Sequence, residues 1–172
     1  MSQIPAPCGR DERNNWPAFP RPDVAPPIGW SHALIAALER PRSHTLSPDG
    51  NRLAFFWDRG DGSNLYIQSI QGGWAQQLTF DREPLPYWFD DPPQWSPNGE
   101  WIAFTSRGHV WAAPARGGLP QKVSDFTSGA ASPRWLSDSS HLLIQYEKGE
   151  LAQILFTDRD GRWPHPVTSL EG

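Results

Sequence analysis

The sequence predicts an all-β chain, a partial β-propeller of about three four-stranded blades. A Ser-Pro-Asp-Gly-type turn recurs along it, each copy is followed by two short strand-like runs, and Pro and Gly are abundant, at 19 and 15 of 172 residues. Leu46-Ser47-Pro48-Asp49-Gly50 is matched by Trp95-Ser96-Pro97-Asn98-Gly99 and more loosely by Trp135-Leu136-Ser137-Asp138-Ser139. The copies start 49 and 40 residues apart, within the range of about 40 to 50 residues that propeller blades occupy. Helical repeats of similar period do not carry Pro-Asp-Gly turns, because Pro and Gly both interrupt helices.

The elements follow in chain order. Residues 1–30 hold Pro5, Pro7, Pro17, Pro20, Pro22, Pro26 and Pro27 among polar residues, which forbids helix and central strand and predicts an extended arm. Ser31 can cap a short helix over 31–40, with Leu34, Ile35 and Leu38 on one face and Pro41 preventing continuation. The blades then occupy 41–172, at about 46–80, 93–124 and 133–168. In each turn Pro presets φ, the Asp or Asn side chain bonds the backbone, and Gly accepts positive φ. The departure of the third copy, Ser137-Asp138-Ser139-Ser140, predicts a looser turn there.

After the turns come Arg52 to Trp57, Trp101 to Ser106 and His141 to Glu147, apolar and aromatic runs suited to inner strands of a blade. Asn64 to Ile70, Gly108 to Pro114 and Leu151 to Asp158 read as the strands that pair with them. A last strand is expected at Leu78-Thr79, Val123-Ser124 and Val167-Thr168, beyond Gly72-Gly73, Gly117-Gly118 and Asp160-Gly161. Trp57, Trp95, Trp101, Trp111 and Trp135 fall in or beside these strands, so most of the ten Trp are expected in the core.

The run from Leu46 to Phe55, then Asn64-Leu65-Tyr66-Ile67, Gly72-Gly73 and Gln77-Leu78-Thr79, resembles the blade of TolB-like and prolyl oligopeptidase family propellers. Trp95 to Phe104, with His109-Val110-Trp111 and Gly117-Gly118, is similar, and the likeness covers residues 46–168. The resemblance to dipeptidyl and acylaminoacyl peptidases implies a propeller that precedes an α/β-hydrolase domain and admits peptides to it. The chain is therefore expected to be the N-terminal propeller portion of a serine peptidase, a fragment lacking the hydrolase domain. The alternatives are a non-catalytic TolB-like interaction scaffold and, with less support, a Trp-rich glycan-binding propeller. Three blades do not close a ring, so exposed blade faces are expected to self-associate.

Catalytic, cofactor and metal residues are all expected to be none. A hydrolase of this type needs a Gly-x-Ser-x-Gly elbow, and that pentapeptide is not in the sequence; Ser63, Ser128 and Ser132 lie near glycines but in hairpins or loops. His32, His44, His109, His141 and His165 show no metal-ligand spacing. His109 and His141 read as equivalent strand-entry residues of neighbouring blades. Asp81, Glu83, Asp90 and Asp91 form an acidic loop, read mainly as solvated charge and otherwise as a patch attractive to a peptide amino terminus. Gly60-Asp61-Gly62 and Gly117-Gly118 lack the Lys or the strand-to-helix context of phosphate loops.

Net charge of −4 with Lys and Arg dispersed argues against nucleic acid as a partner. Cys8 stands alone, which fits a reducing compartment. The first residues hold no apolar run of the export type and no stretch reaches membrane-spanning length, so a cytoplasmic location away from the membrane is expected, unlike the periplasmic TolB.

Overall fold

The computed structural model describes residues 40–58, 62–80, 91–148 and 151–168. Every regular element among them is a strand. The first sheet comprises β1 (Arg40–Leu46), β2 (Arg52–Asp58), β3 (Ser63–Ser69) and β4 (Gln76–Gln77). The second holds β5 (Gln94–Trp95), β6 (Trp101–Ser106), β7 (His109–Pro114) and β8 (Gln121–Lys122). The third holds β9 (Ala130–Trp135), β10 (His141–Lys148), β11 (Leu151–Asp158) and β12 (His165–Pro166). Each sheet is antiparallel with its strands in chain order. These are three propeller blades, each a four-stranded meander.

The arm over 1–30 lies outside the described residues. So does the helix expected over 31–40, except Arg40, which opens β1. The blades open at Arg40, Gln94 and Ala130 because the strand ahead of each turn pairs with the strand after it: Leu46 opposes Leu53, Trp95 opposes Ile102 and Trp135 opposes Leu142. Those leading strands carry Arg, Ser, His, Gln and Pro without apolar alternation, so the sequence pattern contains no strand signal there.

The turns explain their own residues. In the first, Ser47 Oγ donates to Asp49 Oδ1 at 2.5 Å and accepts the Arg52 amide at 2.9 Å. In the second, Ser96 Oγ donates to Asn98 Oδ1 at 2.7 Å and accepts the Trp101 amide at 3.0 Å. The third turn is not looser. Ser139 adopts φ 60° where Gly50 and Gly99 adopt 70°, and its amide closes on the Leu136 carbonyl at 3.1 Å, as Gly50 does on Ser47 and Gly99 on Ser96. Asp138 holds it, its carboxylate accepting the Ser140 and His141 amides at 2.9 and 3.1 Å.

The last strands also end earlier than expected, at β4, β8 and β12. The dipeptides beyond them take another role. Leu78, Val123 and Val167 donate their amides to the carbonyls of Leu65, Val110 and Ile154, each at 2.8 Å. The hydroxyls of Thr79, Ser124 and Thr168 then accept the amides of those same residues at 2.9, 2.8 and 3.0 Å. A side chain thus replaces the next rung of the ladder, which keeps the edge strand short while leaving no donor unmet.

The core lies between blades. Alternation sends Ile102, Phe104 and Ala113 of the second blade against Phe56, Leu65, Ile67 and Leu78 of the first. Ala103, Val110 and Ala112 face the opposite way, against Leu142, Ile144 and Leu155 of the third. Phe56 and Phe104 meet edge to face, centroids 6.1 Å apart. Each such large side chain, fully buried, contributes about 1.5–3 kcal/mol. The second blade is therefore apolar on both faces.

Candidate functional site

The leading strands converge, β1 lying against β5 and β5 against β9. They form the inner edge of the blade array, and polar side chains collect on them. In β1 and β9 the pairing slips at a bulge, where Ser43 and Ser132 take φ of 50° and 52°. Bulges of this kind re-aim the residues around them. Arg42, just before the first bulge, directs Nη2 to Ser63 Oγ at 3.1 Å.

Asp91 lies three residues before β5 in the second blade. Across their bulges Arg42 opposes Phe56 and Ala131 opposes Gln145; in the second blade the pairing covers Gln94 and Trp95, beyond Asp91. Asp91 is paired with Arg134 of the third blade at 3.7 Å, so an ion pair joins two blades at the inner edge. Asp91 Oδ2 and Thr105 Oγ1 are buried without a hydrogen-bond partner, as is His109 Nδ1 in the same blade. Asp91 is not the solvated loop charge the sequence suggested. Its side chain is 21% exposed and lies against Arg134. Asp81, Glu83 and Asp90 lie outside the described residues.

The remaining candidates fall apart in space. Ser63 opens β3 under Arg42, Ser128 sits in an exposed turn and Ser132 at the β9 bulge, none on a strand-to-helix turn. His109 and His141 are not equivalent: His109 opens the third strand of its blade, His141 the second strand of the next, at opposite ends of the sheets. His141 Nδ1 lies 2.6 Å from Asp138 and its ring stacks on Phe156, while His165 packs against the same Phe156. His44 is exposed on β1, and His32 lies outside the described residues. Among those residues no three His, Cys, Asp or Glu side chains gather to hold a metal ion, and no helix is long and apolar enough to cross a membrane.

The shifted carboxyls belong to turns and surface pairs. Asp138 is lowered to about 2, first by the Ser140 amide and then by the His141 side chain. Asp49 is lowered chiefly by the Ser47 hydroxyl and Asp125 by its hydrogen bond to Lys122. All three report structural hydrogen bonds rather than an acid–base pair. The inner edge therefore carries the charged groups Arg42, Asp91 and Arg134, each engaged in a hydrogen bond or an ion pair.

Sequence reasoning also missed a surface feature. Trp95 is buried, with Trp101, Trp111 and Trp135 packed on the two cores, but Trp74 and Trp163 stand 97% and 83% exposed. They and Leu119, 88% exposed, occupy one repeat position, two residues before β4, β8 and β12. Its signal was the place just past a glycine turn, before any strand partner is available.

No protein-family model matches the sequence. Over 79 residues, 45% of it, the chain is 42% identical to the uncharacterized peptidase YuxL of Bacillus subtilis. Over 149 residues, 83% of it, it is 29% identical to the uncharacterized protein YidR of Escherichia coli. These matches span 11% and 35% of the two relatives. Among solved structures it is similar to a putative TolB of Agrobacterium tumefaciens, with a TM-score of 0.62 and 20% identity over 75% of this chain and 49% of that one. It is also similar to the acylaminoacyl peptidase of Pyrococcus horikoshii, TM-score 0.56 and 16% identity over 80% of this chain and 26% of that one. The chain thus has the propeller fold found both in TolB and in peptidases of the acylaminoacyl and prolyl endopeptidase kind.

Proposed function

We propose that these blades are the propeller portion of a serine peptidase of the prolyl oligopeptidase family, gating peptide access to an α/β-hydrolase domain. The observation that carries this reading is the 42% identity to a peptidase across two blades' worth of sequence. The inner edge supports it, since alternating Arg42, Asp91 and Arg134 can guide the main chain and charged ends of an extended peptide. Peptides of the dipeptidyl or acylaminoacyl substrate type are the ligands this reading names. Chemistry would come from a serine nucleophile in the hydrolase domain, the propeller acting as filter.

The reading carries a cytoplasmic location with it, which the lone Cys8 fits. Fluorophosphonate labelling of the full product of the gene tests it. A labelled serine within a Gly-x-Ser-x-Gly elbow, in a product that cleaves peptides and spares folded proteins, is the expected result. A full product that contains no such elbow and takes up no label rules it out.

A second reading has its own observation: the YidR likeness extends over 83% of the chain and the TolB structure superposes well. It makes the blades an interaction scaffold without chemistry. An export signal at the start of the gene and an unlabelled, protein-binding product would select it.

A further inference from the structure

One bare apolar side chain recurs on each blade. The turns that lead into β4, β8 and β12 carry Trp74, Leu119 and Trp163 at the same repeat position, 97%, 88% and 83% exposed. The first turn adds Ile70, 57% exposed. These turns lie side by side at one end of the sheets. Gln76 Nε2 donates to the Arg116 carbonyl of the next blade at 3.5 Å, and Gly161 of the third blade packs on the Val123 carbonyl of the second. The three tips therefore stand in a row set by the stacking of the blades.

Folding gains nothing from these side chains where they stand, since their apolar surface stays in water. Trp163 carries a further cost. Its backbone takes φ 57°, in the left-handed region where a bulky residue is strained and Gly is free. Exposure and strain meeting in one large aromatic residue point to a contact made with something outside the chain.

We propose that this row of turns is a contact surface for a lipid bilayer with anionic headgroups, Trp74, Leu119 and Trp163 entering its interface. The charge of the turns complements such a surface. Arg116 and Arg162 are exposed in the second and third turns, and Asp160, the one acid among residues 70–75, 115–120 and 159–164, is paired with Arg159 at 3.7 Å. The turns are thus net positive in a chain whose net charge is −4. Other acids at this end are engaged locally. Asp49, Glu100 and Asp138 sit toward the inner edge, in or beside the turns joining the first two strands of each blade, and accept hydrogen bonds from Ser47, Asn98 and Ser140. Asp158 accepts the Arg162 amide at 2.6 Å.

The spacing of the tips favours a bilayer over a folded partner. They belong to three separate blades, with Gln71 and Gln76 near Trp74 along the chain and Arg116 and Gln121 near Leu119, so a folded partner would need three matched pockets. A bilayer interface receives each tip wherever it falls, and Trp partitions there in particular. Attachment of this kind requires no spanning helix. The surface lies away from the inner edge, so the proposal holds for a peptidase and for a scaffold alike.

Flotation of the full chain with mixed phosphatidylcholine–phosphatidylserine vesicles tests it, with phosphatidylcholine vesicles for comparison. The chain is expected to float with the mixed vesicles and much less with the neutral ones. Brominated acyl chains in the mixed vesicles should quench part of its Trp fluorescence, a readout that needs no variant. Trp74→Ser together with Trp163→Ser should lower the affinity at least about tenfold and remove most of that quenching. Arg116→Ser together with Arg162→Ser should lower it about tenfold on the mixed vesicles alone. All four residues are exposed, so the urea midpoints of both variants should match the parent's. A chain left behind by the mixed vesicles overturns the proposal, as does flotation that the Trp pair leaves unchanged. Self-association in sedimentation that the Trp pair abolishes would make a second copy the occupant, and quenching by soluble oligosaccharides that it abolishes would make a glycan the occupant; either result overturns the proposal too.

Discussion

Asp138 does with a carboxylate what Asn98 does with an amide. Both gather the amides that follow their turn, and Asp138 also holds His141 at 2.6 Å. Because hydrogen bonds from the Ser140 amide and the His141 side chain lower its pKa to about 2, below the ordinary carboxylate range, the charged form is the one the fold prefers. Its contribution is present above the unfolded pKa and is lost as pH falls through the folded one. Asp138→Asn should therefore differ from the parent in thermal midpoint by a constant amount above about pH 5, and that difference should shrink between about pH 4 and pH 2. A pH series of melting curves on the two proteins checks this. At the same scale, Ser124→Ala takes the acceptor from the buried Val110 amide and should cost about 1–3 kcal/mol in denaturant titration. Thr168→Ala should cost only a few tenths, about the exposed-surface level, because water reaches the Ile154 amide.

Elements in this fold are small and are tied by what lies past their ends. The dipeptides Leu78-Thr79, Val123-Ser124 and Val167-Thr168 were legible as repeats, but their pattern reads as a strand. Only the hydrogen bonds reveal that the hydroxyl replaces a ladder rung, since a Thr in a strand and a Thr bonding across to one look alike in one dimension. Turn glycines separate in the same way. Gly50 has φ +70° and open space around it, so Gly50→Ala costs the backbone conformation alone, about 1 kcal/mol. Gly161, at φ +76°, would place a Cβ 2.4 Å from the Val123 carbonyl oxygen of the neighbouring blade. Gly161→Ala should therefore destabilise by clearly more, about 2–4 kcal/mol, through strain and displacement of the blade together. Urea titration of the two variants compares them directly.

At the scale of the whole molecule the blades form a stack in which each touches its neighbours. Stability then follows intrinsic and nearest-neighbour terms, and the second blade, packed on both faces, has the most of the latter. Native-state hydrogen exchange should find the amides of Ile102–Thr105 and Val110–Ala113 slowest of all. The His165 amide of β12, an exposed two-residue strand whose other residue, Pro166, has no N–H, should exchange first. Uniform protection across the three blades would show one cooperative unit instead. The inner edge belongs to this scale too, since Asp91 and Arg134 lie in different blades.

Turn chemistry is local, acting over five residues through Ser47, Asp49, Gly50 and their equivalents, and it repeats; the sequence alone therefore determined the blade, its period and its central strands. Tertiary structure decided what depends on neighbours far along the chain. Trp95 reaches Thr45 and Trp135 reaches Gln94 across 50 and 41 residues, and the same residue type at position 74 meets nothing and stays in water. Asp91 passed for a solvated charge until the fold laid it against Arg134. Residue type sets what a side chain can bond; only the stacking of one blade on the next sets whether a partner is there.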